Sequence, residues 1–83
     1  MKGEPLVLIT GGARRIGRAL ALAAAREGFD VAVHYNHSRK EAETLAGEIE
    51  ALGRKAALLR ADLSRPAEIE DLAAELAGLS GLY

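Results

Sequence analysis

The residues best suited to chemistry lie in the segment TGGARRIG, residues 10–17, which follows the apolar run LVLI. An apolar run, small residues and then an amphipathic segment form the pattern of a buried strand that turns abruptly into a helix. Gly11 and Gly12 permit backbone angles that a Cβ atom would forbid, and Gly17 lets the helix pack closely against the strand. The first N–H groups of such a helix have no partner within it and bind anions. The segment therefore predicts a binding site for a phosphate group. The alternative is a tight turn that binds nothing.

Three strands and three helices are predicted to position this turn. The strands cover residues 6–10, 30–35 and 55–61, and the helices cover residues 15–27, 39–52 and 65–78. The alternation β-α-β-α-β-α with short turns predicts a parallel sheet with right-handed crossovers. We expect this to be the N-terminal half of a Rossmann-type, doubly wound α/β fold, incomplete at its C-terminus. We expect the strand order 3-2-1, with the first two helices on opposite sides of the sheet or partly shared with a missing neighbour.

Each predicted helix carries one apolar stripe, which we expect to face the sheet. Gly28 and Gly53 are typical stops for the first two helices, and Ser38 with Glu41 has the spacing of a capping box before the second helix. The stripes are Ile16, Ala19, Leu20, Ala23 and Ala24 in the first helix, Ala42, Leu45, Ala46, Ile49 and Leu52 in the second, and Ile69, Leu72, Ala73 and Leu76 in the third.

The composition excludes several classes of function. The chain has 83 residues, 49% of them hydrophobic and 28% charged, with a formal net charge of −1. These values are typical of one globular domain and give no reason to expect nucleic acid or a membrane as a partner. Disulfides are excluded because there is no cysteine, and His34 and His37 are too few for a metal site without carboxylates beside them. No apolar run approaches the roughly 18 residues of a membrane span, and no signal-peptide pattern is present. We therefore expect a cytoplasmic protein without a metal.

The glycine turn resembles the cofactor loop Thr-Gly-x-x-x-Gly-x-Gly of the short-chain dehydrogenase/reductase family, and the resemblance covers the whole chain. Thr10, Gly11 and Gly17 match this loop, and Ile16 precedes its last glycine. Arg15 stands where the middle glycine is usual. This departure is similar to the pteridine reductase branch of the family, whose loop reads Thr-Gly-x-x-x-Arg-x-Gly.

The segment HYNHS, residues 34–38, is similar to the His-Tyr-x-x-Ser stretch of the same branch. In those enzymes the loop arginine and the polar residues after the second strand surround the 2′-phosphate of NADPH. The resemblance therefore implies that Arg15, His37 and Ser38 contact this phosphate, with Arg39 as a further candidate.

The segment ADL, residues 61–63, matches the family's turn after the third strand, where the aspartate lies against the adenine. The resemblance therefore implies a cofactor-binding role for Asp62, with Leu63 beside it. The complete set of cofactor-binding residues implied in this way is Thr10, Gly11, Arg15, Ile16, Gly17, His37, Ser38, Arg39, Asp62 and Leu63.

The residue types also favour NADP(H) without the resemblance. An NAD site needs a carboxylate near the end of the second strand to hold the ribose hydroxyls, and residues 31–40 contain none. A guanidinium there can instead bind a phosphate through two parallel hydrogen bonds. Structural roles compete with these assignments. Ser38 and Asp62 are also placed to cap a helix and to close a turn, and His37 and Arg39 to be solvated surface residues. His34, at the end of the strand, is expected to be structural.

The family resemblance implies hydride transfer from the nicotinamide to a carbonyl or imine of a small molecule. Its proton donor is a tyrosine, and a lysine four residues later lowers the pKa of that tyrosine. Tyr83 has no such lysine, so no catalytic residue is assigned in this chain. We expect residues 1–83 to be the NADP-binding half of an NADPH-dependent reductase. The expected substrate is a pteridine, and the alternative is the thioester of a 3-oxoacyl-acyl-carrier-protein reductase. A non-catalytic nucleotide-binding or assembly module is the second class of function.

The predicted first strand, residues 6–10, is left as an apolar edge in this half-sheet, and a bare apolar edge is an aggregation site. We expect a partner to cover it, either the missing C-terminal half of the enzyme or a second chain. A homo-oligomer is expected for the intact enzyme.

Overall fold

The computed structural model describes residues 5–11 and 15–80, and in these residues three strands alternate with three helices. The predicted order of elements is confirmed, and β1 and β2 have the predicted bounds. The third strand is one residue shorter than predicted at each end, and the third helix continues two residues beyond Gly78. The elements are β1 (Leu6–Thr10), α1 (Arg15–Arg26), β2 (Asp30–Tyr35), α2 (Arg39–Ala51), β3 (Ala56–Arg60) and α3 (Pro66–Ser80).

The three strands form one parallel sheet with β2 in the centre, which confirms the predicted order 3-2-1. Leu6 is paired with Asp30 and Thr10 with His34, so β1 and β2 are paired along the whole of β1. Every residue of β2 is buried, whereas the four apolar residues of β1 are only half-buried. Among the described residues, β1 has a neighbouring strand along one edge only.

The core lies on both faces of the sheet, because successive side chains of β2 point to opposite sides. One face is covered by α1 and α2, and the other is covered by α3. The buried cluster under α1 and α2 comprises Ala21, Leu22, Ala25, Val31, Val33, Tyr35, Ala42, Leu45 and Ile49. The cluster under α3 comprises Ala32, Leu59, Ala61 and Leu72, with Leu6, Leu8, Leu76 and Leu79 packed against it.

The first two helices lie on the same face of the sheet, so the expectation of opposite sides is wrong. The connections from β1 to β2 and from β2 to β3 step in the same direction across the sheet. Right-handed crossovers that step in one direction place their helices on one face. Arg18 of α1 also forms an ion pair with Glu48 of α2.

The predicted apolar stripe of α1 is wrong except at Ala24, which is half-buried and packs against the core. Ile16 is 79% exposed and Leu20 is also exposed, whereas Ala21, Leu22 and Ala25 are buried against the sheet. The physical reason is that α1 has apolar residues on more than one face, so its hydrophobic pattern does not single out the face that meets the sheet.

The stripe of α2 is confirmed at Ala42, Leu45 and Ile49, although Leu52 at its end is exposed. In α3, Leu72 is buried as predicted, but Ile69 is exposed and Ala77 is buried instead. The glycine stops after α1 and α2 are confirmed, because Gly28 and Gly53 have φ of +99° and +83°.

Candidate functional site

The carboxyl ends of the three strands lie side by side at one edge of the sheet. Thr10 is paired with His34, and Tyr35 is paired with Arg60. The turns after β1, β2 and β3 therefore begin next to one another. In open parallel α/β sheets, ligands bind in the crevice outside these ends. All ten predicted site residues lie at this edge, in a turn, at the strand end before it or in the first turn of the helix that follows.

The glycine turn leads directly into α1. Gly11 has φ +61°, which confirms that the turn uses a conformation unfavourable for other residues. Gly12 lies outside the described residues. α1 begins at Arg15 and has no acidic residue in its first turn, so no carboxylate of that turn competes for the positive end of the helix dipole. Arg15 and Ile16 are exposed and Gly17 is half-buried.

His34 connects the glycine turn with the end of β3. The Gly11 N–H donates to His34 Nδ1 at 3.3 Å, and His34 Nε2 lies 2.9 Å from the Ala61 carbonyl oxygen. Because Nδ1 accepts a hydrogen bond, the neutral ring carries its proton on Nε2, which donates to Ala61. The His34 residue is 6% exposed. One buried imidazole thus joins two of the three turns at this edge.

The turn after β2 is held by Arg60, a residue that the sequence analysis missed. Arg60 Nη2 donates to Asn36 Oδ1 at 2.9 Å, and Arg60 Nε donates to the Asn36 carbonyl oxygen at 3.3 Å. A signal for Arg60 was present in the sequence, because it is a charged residue at the carboxyl end of the third strand. In the sheet it is paired with Tyr35, the last residue of β2. His37 follows Asn36 and is exposed. Among the described residues, neither Arg15 nor His37 forms a hydrogen bond or ion pair through its side chain, so both are available to a ligand.

The capping box predicted from Ser38 and Glu41 is wrong. Ser38 precedes α2 as its N-cap residue, but its side chain makes no capping hydrogen bond in the described part of the chain. Its carbonyl oxygen accepts the Ala42 N–H at 2.9 Å. Arg39 Nε lies 3.4 Å from Glu43 Oε2 on the next turn of α2, with both side chains more than half exposed. Exposed pairs of this kind contribute less than about 1 kcal/mol, so this pair does not prevent Arg39 from reaching a ligand.

The turn after β3 is closed by Asp62. Asp62 Oδ1 accepts the Ser64 hydroxyl at 2.6 Å and the Ser64 N–H at 3.0 Å. These two hydrogen bonds, that of the hydroxyl first, hold the pKa of Asp62 below its usual value. Glu68 Oε1 accepts the Asp62 N–H at 2.9 Å and Arg60 Nη1 at 3.0 Å. The turn-closing role left open for Asp62 is therefore present, and Leu63 is exposed beside it.

Within residues 5–11 and 15–80, no group of three or more histidine, aspartate or glutamate side chains is placed to hold a metal ion. None of the helices in these residues is long and apolar enough to cross a membrane.

The sheet, the crossovers and the glycine turn at the start of α1 define the N-terminal half of a Rossmann-type nucleotide-binding fold. The family model of the short chain dehydrogenases matches residues 5–81. This chain belongs to the short-chain dehydrogenase family of oxidoreductases.

Two relatives show the range of activities among similar sequences. L-rhamnose 1-dehydrogenase (NAD(P)(+)) of a Sphingomonas species is 44% identical over 69 residues, which cover 83% of this chain and 27% of that protein. A 3-oxoacyl-[acyl-carrier-protein] reductase of Aggregatibacter actinomycetemcomitans is 43% identical over 65 residues, which cover 78% of this chain and 27% of that protein. The chain spans about a quarter of the length of these relatives.

Two similar crystal structures contain NADP. A dehydrogenase from Burkholderia cenocepacia with bound NADP is 36% identical, with a TM-score of 0.86, over 94% of this chain and 31% of that one. Alternative dihydrofolate reductase 1 from Brucella canis, complexed with NADP, is 46% identical, with a TM-score of 0.70, over 74% of this chain and 25% of that one. A nicotinamide cofactor is therefore supported for this chain at the level of the family.

Proposed function

We propose that this chain is the NADP(H)-binding part of a short-chain reductase that transfers a hydride to a carbonyl or imine of a small molecule. The observation that carries the proposal is the charge at the end of β2. Residues 31–40 contain no carboxylate, and Arg15 is exposed on the neighbouring turn with no partner in the described residues. A carboxylate at this place would hold the ribose hydroxyls of NAD and repel a 2′-phosphate.

Each of the three turns is proposed to bind a different part of the cofactor. The glycine turn, with Thr10, Gly11, Ile16 and Gly17, offers the N–H groups at the start of α1 to the pyrophosphate. A guanidinium is suited to phosphate because its planar set of donors makes paired hydrogen bonds. Arg15, His37, Ser38 and Arg39 form the proposed pocket for the 2′-phosphate, and Asp62 and Leu63 form the proposed wall against the adenine.

The position of α3 also supports a ligand site at the end of β1. α3 lies on the face opposite to α1 and α2. A right-handed connection from α3 to a further parallel strand leads toward the open edge of β1. The strand order would then reverse direction at β1, and ligands of doubly wound sheets bind at such a switch point. We place no catalytic residue within residues 1–83, and the proton donor and its lysine are proposed to come from another segment of the enzyme.

We propose a pteridine as the substrate class. The support is Arg15 in the cofactor loop, the HYNHS segment and the 46% identity to the alternative dihydrofolate reductase. A 3-oxoacyl thioester is the second candidate, because the acyl-carrier-protein reductase is 43% identical over a similar part of the chain.

Binding and turnover by the complete protein test this proposal. In titration calorimetry we expect NADP+ to bind at least about tenfold more tightly than NAD+, since one charge-assisted contact to the 2′-phosphate has this size. Equal affinities would overturn the assignment of NADP(H). Consumption of NADPH with a dihydropteridine or with an acetoacetyl thioester then identifies the substrate class. Tight binding of NADP+ without turnover of either would favour a non-catalytic nucleotide-binding module.

A further inference from the structure

We propose that His34 is a positioning residue of the cofactor site. It holds the glycine turn after β1 in a fixed orientation relative to the turn after β3, which forms the proposed adenine wall. The proposal rests on the proposed nucleotide-binding function. His34 does not need to touch the cofactor for this role. It acts through Gly11 on one side of its ring and through Ala61 on the other.

The central position of β2 makes this bridge possible. His34 is paired with Thr10 of β1 and with Leu59 of β3, so its side chain has a strand end on each side. The Gly11 N–H requires an acceptor and the Ala61 carbonyl requires a donor. A neutral imidazole offers one of each on its two nitrogens, at the observed distances of 3.3 and 2.9 Å. Because the ring is almost completely buried, water does not readily replace either contact.

The hydrogen bond between Gly11 and His34 orients the glycine turn after β1. Gly11 has φ +61°, and apart from its chain neighbours no atom of the described residues lies within 4 Å of a Cβ atom built on it. The bond to His34 Nδ1 fixes the direction of the Gly11 N–H. With the Gly11 N–H directed to His34, the N–H groups at the start of α1 are left to bind an anion.

The hydrogen bond between His34 and Ala61 orients the turn after β3. The Ala61 N–H donates to the Tyr35 carbonyl oxygen at 3.1 Å, and its own carbonyl accepts from His34. Both polar backbone groups of Ala61 are thus anchored to β2. Asp62 follows immediately, so the orientation of Ala61 determines where the proposed adenine wall begins.

Two conservative variants separate the two contacts. In His34→Asn, the amide oxygen takes the place of Nδ1 and keeps an acceptor for Gly11, but the donor to Ala61 is lost. In His34→Gln, the amide nitrogen takes the place of Nε2 and keeps a donor for Ala61, but the acceptor for Gly11 is lost. Asp30→Asn is the matched control, because it weakens a buried interaction at the other end of β2 and leaves both His34 contacts in place.

The experiment measures the binding of two probes to the complete protein. NADP+ contains the pyrophosphate, whereas adenosine 2′-monophosphate contains the adenine and the 2′-phosphate but no phosphate on the 5′-oxygen. We expect His34→Gln to weaken the binding of NADP+ about three- to tenfold, the size of one hydrogen bond, with little change for adenosine 2′-monophosphate. We expect His34→Asn to weaken both probes by a similar factor. Asp30→Asn should lower stability and leave both affinities unchanged.

With the two probes and the control variant, each outcome either supports the positioning role of His34 or contradicts it. Equal weakening of both probes in His34→Gln, unchanged affinities in both His34 variants, or an equal loss in Asp30→Asn would overturn the positioning role. If the unmodified protein binds neither probe, the proposed function fails as well. If it binds both and only the predicted pattern is missing, the inference on His34 fails alone. Faster hydrogen exchange of the Gly11 amide in His34→Gln, but not in His34→Asn, would support it directly.

Discussion

Arg54 and Asp30 form an ion pair at the amino-terminal end of β2, the end opposite to the candidate site. Arg54 Nη2 lies 3.0 Å from Asp30 Oδ1, and the same oxygen accepts Arg54 Nε at 3.1 Å and the Lys55 N–H at 2.9 Å. Asp30 is 1% exposed. Its other oxygen, Oδ2, has no hydrogen-bond partner among the described residues. One buried carboxylate therefore fastens the start of the central strand to the turn before β3.

Replacement of Asp30 by Asn should destabilise the fold without affecting the nucleotide site. We expect Asp30→Asn to lower the free energy of unfolding by about 1–3 kcal/mol, because a buried charge-assisted contact is lost. Glu43→Gln is the matched control. It removes the exposed pair with Arg39, and we expect a loss of at most about 0.5 kcal/mol. Urea unfolding of the three proteins measures both values. Equal effects of the two substitutions would show that burial of Asp30 does not strengthen its contacts.

The same carboxylate should make stability depend on pH. Burial of Asp30 acts to raise its pKa, but the Lys55 N–H bond and Arg54 outweigh this and hold the pKa below its ordinary value of 3.8. A lowered pKa in the folded state means that the stabilisation is complete above the unfolded pKa and is lost as pH falls through the folded pKa. We expect the stability difference between the unmodified protein and Asp30→Asn to shrink between about pH 5 and pH 2. A difference that stays constant over this range, measured by urea unfolding, would contradict the assignment.

The strands could be predicted from the sequence because local signals agree there. β2 has Val31 and Val33 between the helix stop at Gly28 and the polar Asn36, and its bounds are as predicted. The buried face of α1 could not be predicted in this way. α1 has apolar residues on two faces, so its hydrophobic pattern alone does not decide which face meets the sheet.

The candidate site was predictable only where its residues are close in sequence. The glycine turn and the absence of a carboxylate after β2 are visible in short segments. The contacts of His34 join residues 23 and 27 positions apart, and the bond between Arg60 and Asn36 joins residues 24 apart. The order of the strands was predictable, but such contacts depend on the register between neighbouring strands, and the spacing of residue types carries no signal for that register.

Two glycines should respond to alanine with opposite signs. Among the residues that the structure describes, chain neighbours apart, a methyl group added at Gly11 or at Gly47 meets no atom within 4 Å. Gly11 has φ +61°, so Gly11→Ala should cost about 1–2 kcal/mol of stability through backbone strain alone. Gly47 lies within α2, where Gly47→Ala should add about 1 kcal/mol because alanine favours the helix. Urea unfolding of both variants measures these changes. A neutral Gly11→Ala would mean that the turn adopts another conformation in solution.

Arg15 should determine the choice between the two nicotinamide cofactors. In the complete protein, we expect Arg15→Gly to weaken NADPH about ten- to a hundredfold, since one charge-assisted contact to the 2′-phosphate is lost. The affinity for NADH, which lacks this phosphate, should change little. Arg65→Gln is a suitable control, because Arg65 is an exposed arginine already paired with Glu68. Fluorescence titration with both cofactors gives the ratio. An equal loss for both would show that Arg15 serves the pyrophosphate or the fold.

The open edge of β1 should be visible in hydrogen exchange as an alternation along the strand. The Pro5 carbonyl accepts the Asp30 N–H at 2.9 Å, and the N–H and C=O groups of successive residues in a strand point to opposite edges. Val7 and Ile9 therefore direct their amides to β2, whereas Leu6, Leu8 and Thr10 direct theirs to the open edge.

For residues 1–83 expressed alone, we expect fast exchange at the three outward amides or aggregation through this edge. In the complete protein, we expect Leu8 to be protected as strongly as Val7, because a further strand would pair with β1. The comparison by two-dimensional NMR uses Val7 and Ile9 as internal references for the stability of the sheet. Protection that rises with concentration in residues 1–83 would identify a second copy as the partner of β1. Strong protection of Leu8 in a dilute, monomeric sample of residues 1–83 would refute the need for any partner strand.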